Sequence, residues 1–119
     1  MPTKLLGDRG EYLAAEFLER AGWATLHRKF RVGRKEVDLV ARRGGVVAFI
    51  EVKTRSGVAF GHPLEAITRH KQRTIREVAS GWIERFGDDA DEYRFDAVSI
   101  LFKAGSAPRL EHLENAWGT

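Results

Sequence analysis

Residues 35–55 read KEVDLVARRGGVVAFIEVKTR, and how they pair decides the fold. Residues 37–40 and 46–52 are runs rich in β-branched side chains, and Gly44-Gly45 between them can supply the positive φ angles that a two-residue hairpin turn demands. Counting outward from that turn sets Arg43 against Val46, Asp38 against Glu51 and Glu36 against Lys53. Side chains alternate along a strand and opposed residues share a face. The spacing therefore predicts a hairpin with one apolar face, bearing Val37, Leu39, Ile50 and Val52, and one face bearing Glu36, Asp38, Glu51 and Lys53. A three-residue loop would slip the register and lose the Asp38–Glu51 pairing.

Opposed positions on an antiparallel pair lie about 4.5–5.5 Å apart at Cβ, where like charges repel. A divalent cation between Asp38 and Glu51 would turn that repulsion into coordination, because Mg2+ prefers carboxylate oxygens and keeps several waters. Lys53, projecting to the same place, could orient an attacking water or stabilise charge on a phosphate. The plainer alternative is a solvated polar face with Glu36 and Lys53 as an ion pair contributing little. The hairpin's own residues leave both readings open.

The rest of the chain bounds the choice. Its 119 residues suit one domain, 1–119, large enough to bury a core without staples. It has no cysteine, which excludes a disulfide framework and a Cys-based zinc site and suits a reducing cytoplasm. His27, His62, His70 and His112 lack metal-ligand spacing. The first residues are charged throughout, unlike a signal peptide, and no apolar run approaches the roughly 20 residues of a membrane span. The expectation is a soluble, cytoplasmic protein without a membrane partner. A net charge of +3, carried heavily by arginine, permits nucleic-acid binding.

Residues 5–21 carry Leu6, Leu13, Ala14, Phe17, Leu18 and Ala21 at helical spacing, with Gly22 as a stop. Glu11 lies at the margin of that stripe, either joining a site or simply favouring the positive end of the helix dipole. Residues 23–31 predict a strand ending in a basic cluster. Residues 56–63 predict a loop holding Phe60, and residues 64–86 a long helix with Leu64, Ile67, Ile75, Val78, Ala79, Trp82, Ile83 and Phe86 inward. The first half of that helix carries Arg69, His70, Lys71, Gln72, Arg73 and Arg76, a cationic surface suited to an anionic partner. Residues 93–102 and 109–113 predict strands, Asp96 being either a paired structural acid or a neighbour of the site, and residues 115–119 are expected to fray. The order is α-β-β-β-α-β-β. An α/β mixed sheet flanked by the two helices would bury every apolar face.

Taken together, Gly10-Glu11 with Ala14-Ala15, Glu36-Val37-Asp38-Leu39-Val40, and Glu51-Val52-Lys53-Thr54-Arg55 resemble the PD-(D/E)XK nuclease superfamily. With Phe60-Gly61, Pro63, Glu65-Ala66, Lys71 and Arg94-Phe95-Asp96, the chain looks more narrowly like the YraN-like family of small bacterial proteins, which are similar to archaeal Holliday junction resolvases. The resemblance spans about residues 7–101. It implies a restriction-endonuclease-like fold, Asp38 and Glu51 as metal-binding acids joined by Glu11, and Lys53 as the active-site lysine. Val37 stands where the superfamily often has proline. The resemblance further implies Mg2+- or Mn2+-dependent phosphodiester hydrolysis, in structured or branched DNA for the resolvase-like branch, and a homodimer. Arg55, Arg69, Lys71, Arg73 and Arg76 are candidates for phosphate contacts. The alternatives are a non-catalytic nucleic-acid-binding module and an adaptor that serves only a protein partner.

Overall fold

The computed structural model describes residues 3–56 and 67–118. The chain runs α1 (Thr3–Arg20), β1 (Ala24–Val32), β2 (Lys35–Arg43), β3 (Val46–Ser56), α2 (Arg69–Phe86), β4 (Glu92–Phe102) and β5 (Arg109–Leu113). The strands form one sheet in the order β1-β2-β3-β4-β5, antiparallel except for the parallel pair β3–β4. That pair requires a crossover, which α2 supplies. The predicted α-β-β-β-α-β-β order and mixed sheet are present. Among the described residues no helix is long and apolar enough to cross a membrane.

The turn at Gly44-Gly45 has the expected two-residue form, with Gly44 at φ 59° and Arg43 paired to Val46. The hairpin nevertheless lacks a wholly polar face. Val40, Val47 and Phe49 pack with Ile75, Val78, Ala79 and Trp82 of α2 on one side. Leu39, Ala41, Ala48 and Ile50 pack with Ala14, Ala15 and Leu18 of α1 on the other. Central strands of a sheet covered on both faces must be apolar on both. Val37, expected beside Leu39, joins the α2 cluster instead.

α1 lies close against β3. A Cβ on Gly10 would sit 2.0 Å from Thr54 Cγ2, so only glycine allows this approach. The buried stripe is correspondingly narrow, Ala14, Ala15 and Leu18, while Phe17, Leu5 and Tyr12 are exposed. The helix ends in a Schellman motif, Trp23 N–H donating to Leu18 O and Gly22 N–H to Glu19 O, with Gly22 at φ 93°.

α2 begins at Arg69 rather than residue 64. Thr68 is extended, with φ −69° and ψ 162°, and its hydroxyl accepts from Lys71 N–H at 3.1 Å as an N-cap. Ile67 precedes it, buried but non-helical. The predicted loop with Phe60 lies outside the described residues, apart from Ser56, which ends β3. The expectation that residues 115–119 fray is overturned as far as the described residues reach, to 118. Ala116 N–H donates to Phe95 O at 2.8 Å, and Trp117, 8% exposed, stacks on Phe95 with centroids 5.6 Å apart. Burial of one large aromatic outweighs the entropy that would loosen the end.

Candidate functional site

The site forms where β2 leaves β3. Their ladder runs from Arg43–Val46 to Leu39–Ile50 and stops. At the next position the Asp38 carboxylate takes over, Oδ2 accepting from Val52 N–H at 2.7 Å in place of a backbone carbonyl. The other neighbour also gives way there, since Arg28 pairs with Leu39 and Phe30 with Val37 while the intervening Lys29 has φ 50°. Lys29 forms a 2.8 Å ion pair with Asp8 on α1.

Glu51, one residue beyond the ladder on β3, is only 2% exposed. Its Oε1 is buried and, among the described residues, has no hydrogen-bond partner. Its Oε2 lies 3.4 Å from Lys71 Nζ and 3.9 Å from Lys53 Nζ. Burial pushes the Glu51 carboxyl up to about 9; the neighbouring Asp38 carboxylate adds to the rise, and Lys71 and Lys53 oppose it. Glu11, from α1, is raised to about 7, first by burial and then by the charge of Asp38, with Lys29 opposing. Two acids from different elements thus both feel Asp38. Among the described residues no three acidic or histidine side chains converge closely enough to cage an ion, so Asp38 and Glu51 form the close pair and Glu11 is its electrostatic neighbour.

The remaining candidates separate. Lys71 belongs with Glu51 rather than on the outer cationic surface. The phase of α2 foretold this, because Lys71 stands four residues before Ile75 and seven before Val78, on the sheet-facing side. Arg69, Arg73 and Arg76 share the outer side and, with Gln72, line a depression of about 300 Å3. The Arg76 guanidinium donates to the Gly118 carbonyl. Arg55 is half-buried on β3, two residues beyond Lys53. Glu36 pairs with Arg31 of β1 at 2.9 Å rather than with Lys53, because β2 no longer follows β3 at that point. Asp96 is a structural acid: fully buried, it is held by Arg94 at 3.0 Å, His112 at 2.8 Å and Asn115 N–H at 3.1 Å. These contacts keep its carboxyl below the usual range despite burial. Lys29 was visible in the sequence as part of the basic cluster at the end of β1, but its pairing with Asp8 was not, because a strand irregularity at a lysine leaves no local signature.

Residues 10–100 match the model of the uncharacterised protein family UPF0102. The chain belongs to that family. A UPF0102 protein of Geobacter sulfurreducens is 45% identical over 97% of this chain and 90% of its own length, and one of Rhodococcus jostii is 43% identical over 94% and 95%. Among solved structures, Archaeoglobus fulgidus Hjc, a Holliday junction resolvase from an archaeal hyperthermophile, superposes with a TM-score of 0.51 and 23% identity, over 87% of this chain and 70% of that one. The likeness is one of fold, and it makes this UPF0102 chain resolvase-like in architecture. The metal that such a fold implies can be tested against the donors present. A buried carboxylate oxygen without a partner among the described residues, beside a second carboxylate, is a donor set suited to a hard cation, and the Glu51 and Asp38 side chains fit it.

Proposed function

We propose that this protein is a metal-dependent nuclease that hydrolyses phosphodiester bonds in structured or branched DNA. The observation that carries the reading is Glu51, a buried carboxyl with one oxygen unpartnered among the described residues, set against Asp38 and reached by two lysines from different elements. No structural need explains that combination, since an apolar residue would fill the position without burying charge. Asp38 and Glu51 would hold Mg2+ or Mn2+, with Glu11 assisting. Bound there, the cation would supply a water of lowered pKa and neutralise charge on the phosphate.

The chain's own groups do the rest. The Val52 N–H fixes the Asp38 carboxylate, so its orientation is set by backbone rather than by a free rotamer. Lys53 and Lys71 offset the carboxylate charge and present ammonium groups where a phosphate would lie. Arg55 extends the same strand, while Arg69, Arg73 and Arg76 offer a cationic outer face for the flanking backbone.

The test is cleavage of labelled junction, flap and duplex DNA, and of RNA, in Mg2+ and Mn2+. Asp38→Asn abolishes cutting while sparing binding. Lys71→Ala lowers the single-turnover rate by roughly 10²-fold or more, as expected for loss of a group acting on transition-state charge. A wild-type protein that cuts nothing across the panel sinks the enzyme reading. Calorimetric titration with metal, wild type against Asp38→Ala, tests the site before any substrate is known.

The outer face of Arg69 and Arg73 also supports a non-catalytic nucleic-acid-binding module. That reading expects binding that falls with salt but is indifferent to metal and to Lys53→Ala.

A further inference from the structure

The basic cluster around β1 is largely discharged by acids. Lys29 pairs with Asp8, Arg31 with Glu36 and Lys35 with Glu77. Arg28 differs: among the described residues it forms no ion pair, and its guanidinium lies 5.4 Å above the ring of Tyr12. Tyr12 projects from the flank of α1 and is 61% exposed. A lone exposed aromatic is ordinary. This one sits next in sequence to Glu11 and borders two depressions at once.

The first depression, about 280 Å3, is lined by Asp8, Glu11, Tyr12, Arg28 and Lys29. The second, about 320 Å3, is lined by Tyr12, Ala15, Glu16, Glu19, Thr25 and Arg28. Tyr12 and Arg28 line both, so the two depressions adjoin along the flank between α1 and β1, and the first also holds Glu11, the electrostatic neighbour of Asp38. The two ends differ in chemistry. At the end by Glu11 the Lys29 ammonium is matched by Asp8, and Arg28 is the cation left to meet a phosphate. At the far end Glu16 is paired to Arg20 at 2.6 Å, and Glu19 accepts from the Thr25 hydroxyl at 3.3 Å. Carboxylates there repel a phosphate but accept from the exocyclic amines of bases.

We infer that Tyr12 and Arg28 form a stacking platform for an unpaired nucleobase, the nucleotide beside the phosphate positioned at Asp38 and Glu51. The inference rests on the nuclease reading and narrows its substrate to nucleic acid with an unpaired nucleotide at or next to the branch. A base in continuous duplex keeps its own stacking partners and cannot reach the ring. Tyrosine supplies a flat face, and Arg28, already poised over it, adds a cation–π contact and a donor toward the backbone.

The experiment uses the full chain carrying Asp38→Asn and DNA with 2-aminopurine either at a single unpaired nucleotide next to a branch or inside continuous duplex. Binding quenches the unpaired probe. Tyr12→Ala removes that quenching and weakens binding of the branched DNA by about tenfold or more, as loss of base–aromatic stacking does, while duplex affinity stays unchanged. Tyr12→Trp restores both. Tyr12 is exposed, and an unaltered thermal midpoint in each variant shows that the fold is intact. Equal loss on both DNAs, or loss on neither, overturns the platform and leaves the nuclease reading standing. Failure of the parent to bind either DNA overturns both.

Discussion

Glu51 makes the protein's stability depend on pH in a direction opposite to that of most carboxylates. In the unfolded chain its carboxyl titrates near 4.5, and in the fold it is pushed up to about 9. Between those values the folded state keeps a proton that the unfolded state has released. Stability from this group is therefore complete below 4.5 and is lost as pH rises toward 9. Glu51→Gln, which cannot ionise, should raise the stability of the metal-free protein at pH 8 by on the order of 1–3 kcal/mol, the scale of an unsatisfied buried polar group. The difference should vanish near pH 4.5. Urea midpoints in chelator at pH 4.5 and pH 8 measure it; a variant less stable than wild type at pH 8 contradicts the assignment. Adding Mg2+ should reverse the order, stabilising wild type by mass action and leaving the variant unmoved. Asp38, Glu51 and Lys53 stood out in the sequence because period-two alternation and a glycine turn placed them. Lys71 was visible in the sequence as a candidate for phosphate contact among the cations of α2, but its nearness to Glu51 was not, since charge was weighed there above helical phase.

At the scale of elements, the approach of α1 to β3 sets where Glu11 can stand. Glycine inside a helix costs about 1 kcal/mol relative to alanine, so Gly10→Ala would ordinarily stabilise. Here the added methyl meets Thr54 Cγ2 at 2.0 Å. Gly10→Ala should instead destabilise by about 1–3 kcal/mol, the range for overpacking, and shift Glu11 relative to Asp38. The remedy is specific: in a Thr54→Ser background the colliding methyl is gone, and the next contacts, Thr54 Cβ at 3.5 Å and Ile100 Cδ1 at 3.6 Å, are ordinary. Thermal denaturation of the four variants forms a double-mutant cycle, and additivity would refute the contact. Helix periodicity identified α1 from its apolar spacing, but the small residues that let it lie close carry no separate periodic signal. The start of α2 at Arg69 turned on the Thr68 cap, which an apolar pattern beginning at Leu64 concealed.

Across the whole molecule, the chain's last residues return to the sheet. Trp117 closes the α2-side core on Phe95, and Asn115 helps hold Asp96 with Arg94 and His112 on β4 and β5. Trp117→Ala should cost about 3–5 kcal/mol, as truncation of buried aromatics does, and be read as a lowered urea midpoint. A loss below about 0.5 kcal/mol would restore the frayed end that sequence suggested. Asp96 could have been either a site residue or a structural one by strand alternation alone. Only the arrival of β5 beside β4 brought His112 to it and settled the matter.

Local chemistry was enough for the sequence to determine the element order, the hairpin register from Arg43–Val46 inward, and the candidacy of Glu11, Asp38, Glu51 and Lys53. Those features follow from turn conformation and from the periods of strand and helix, which act over a few residues. The tertiary structure decided what depends on distant segments: that both faces of the hairpin are covered, that Asp38 replaces a backbone acceptor where β2 leaves β3, that Lys71 reaches Glu51, and that Trp117 is core. Burial is the physical reason. Desolvation of Glu51 and Glu11 arises from every element packed around them, and no stretch of sequence contains it.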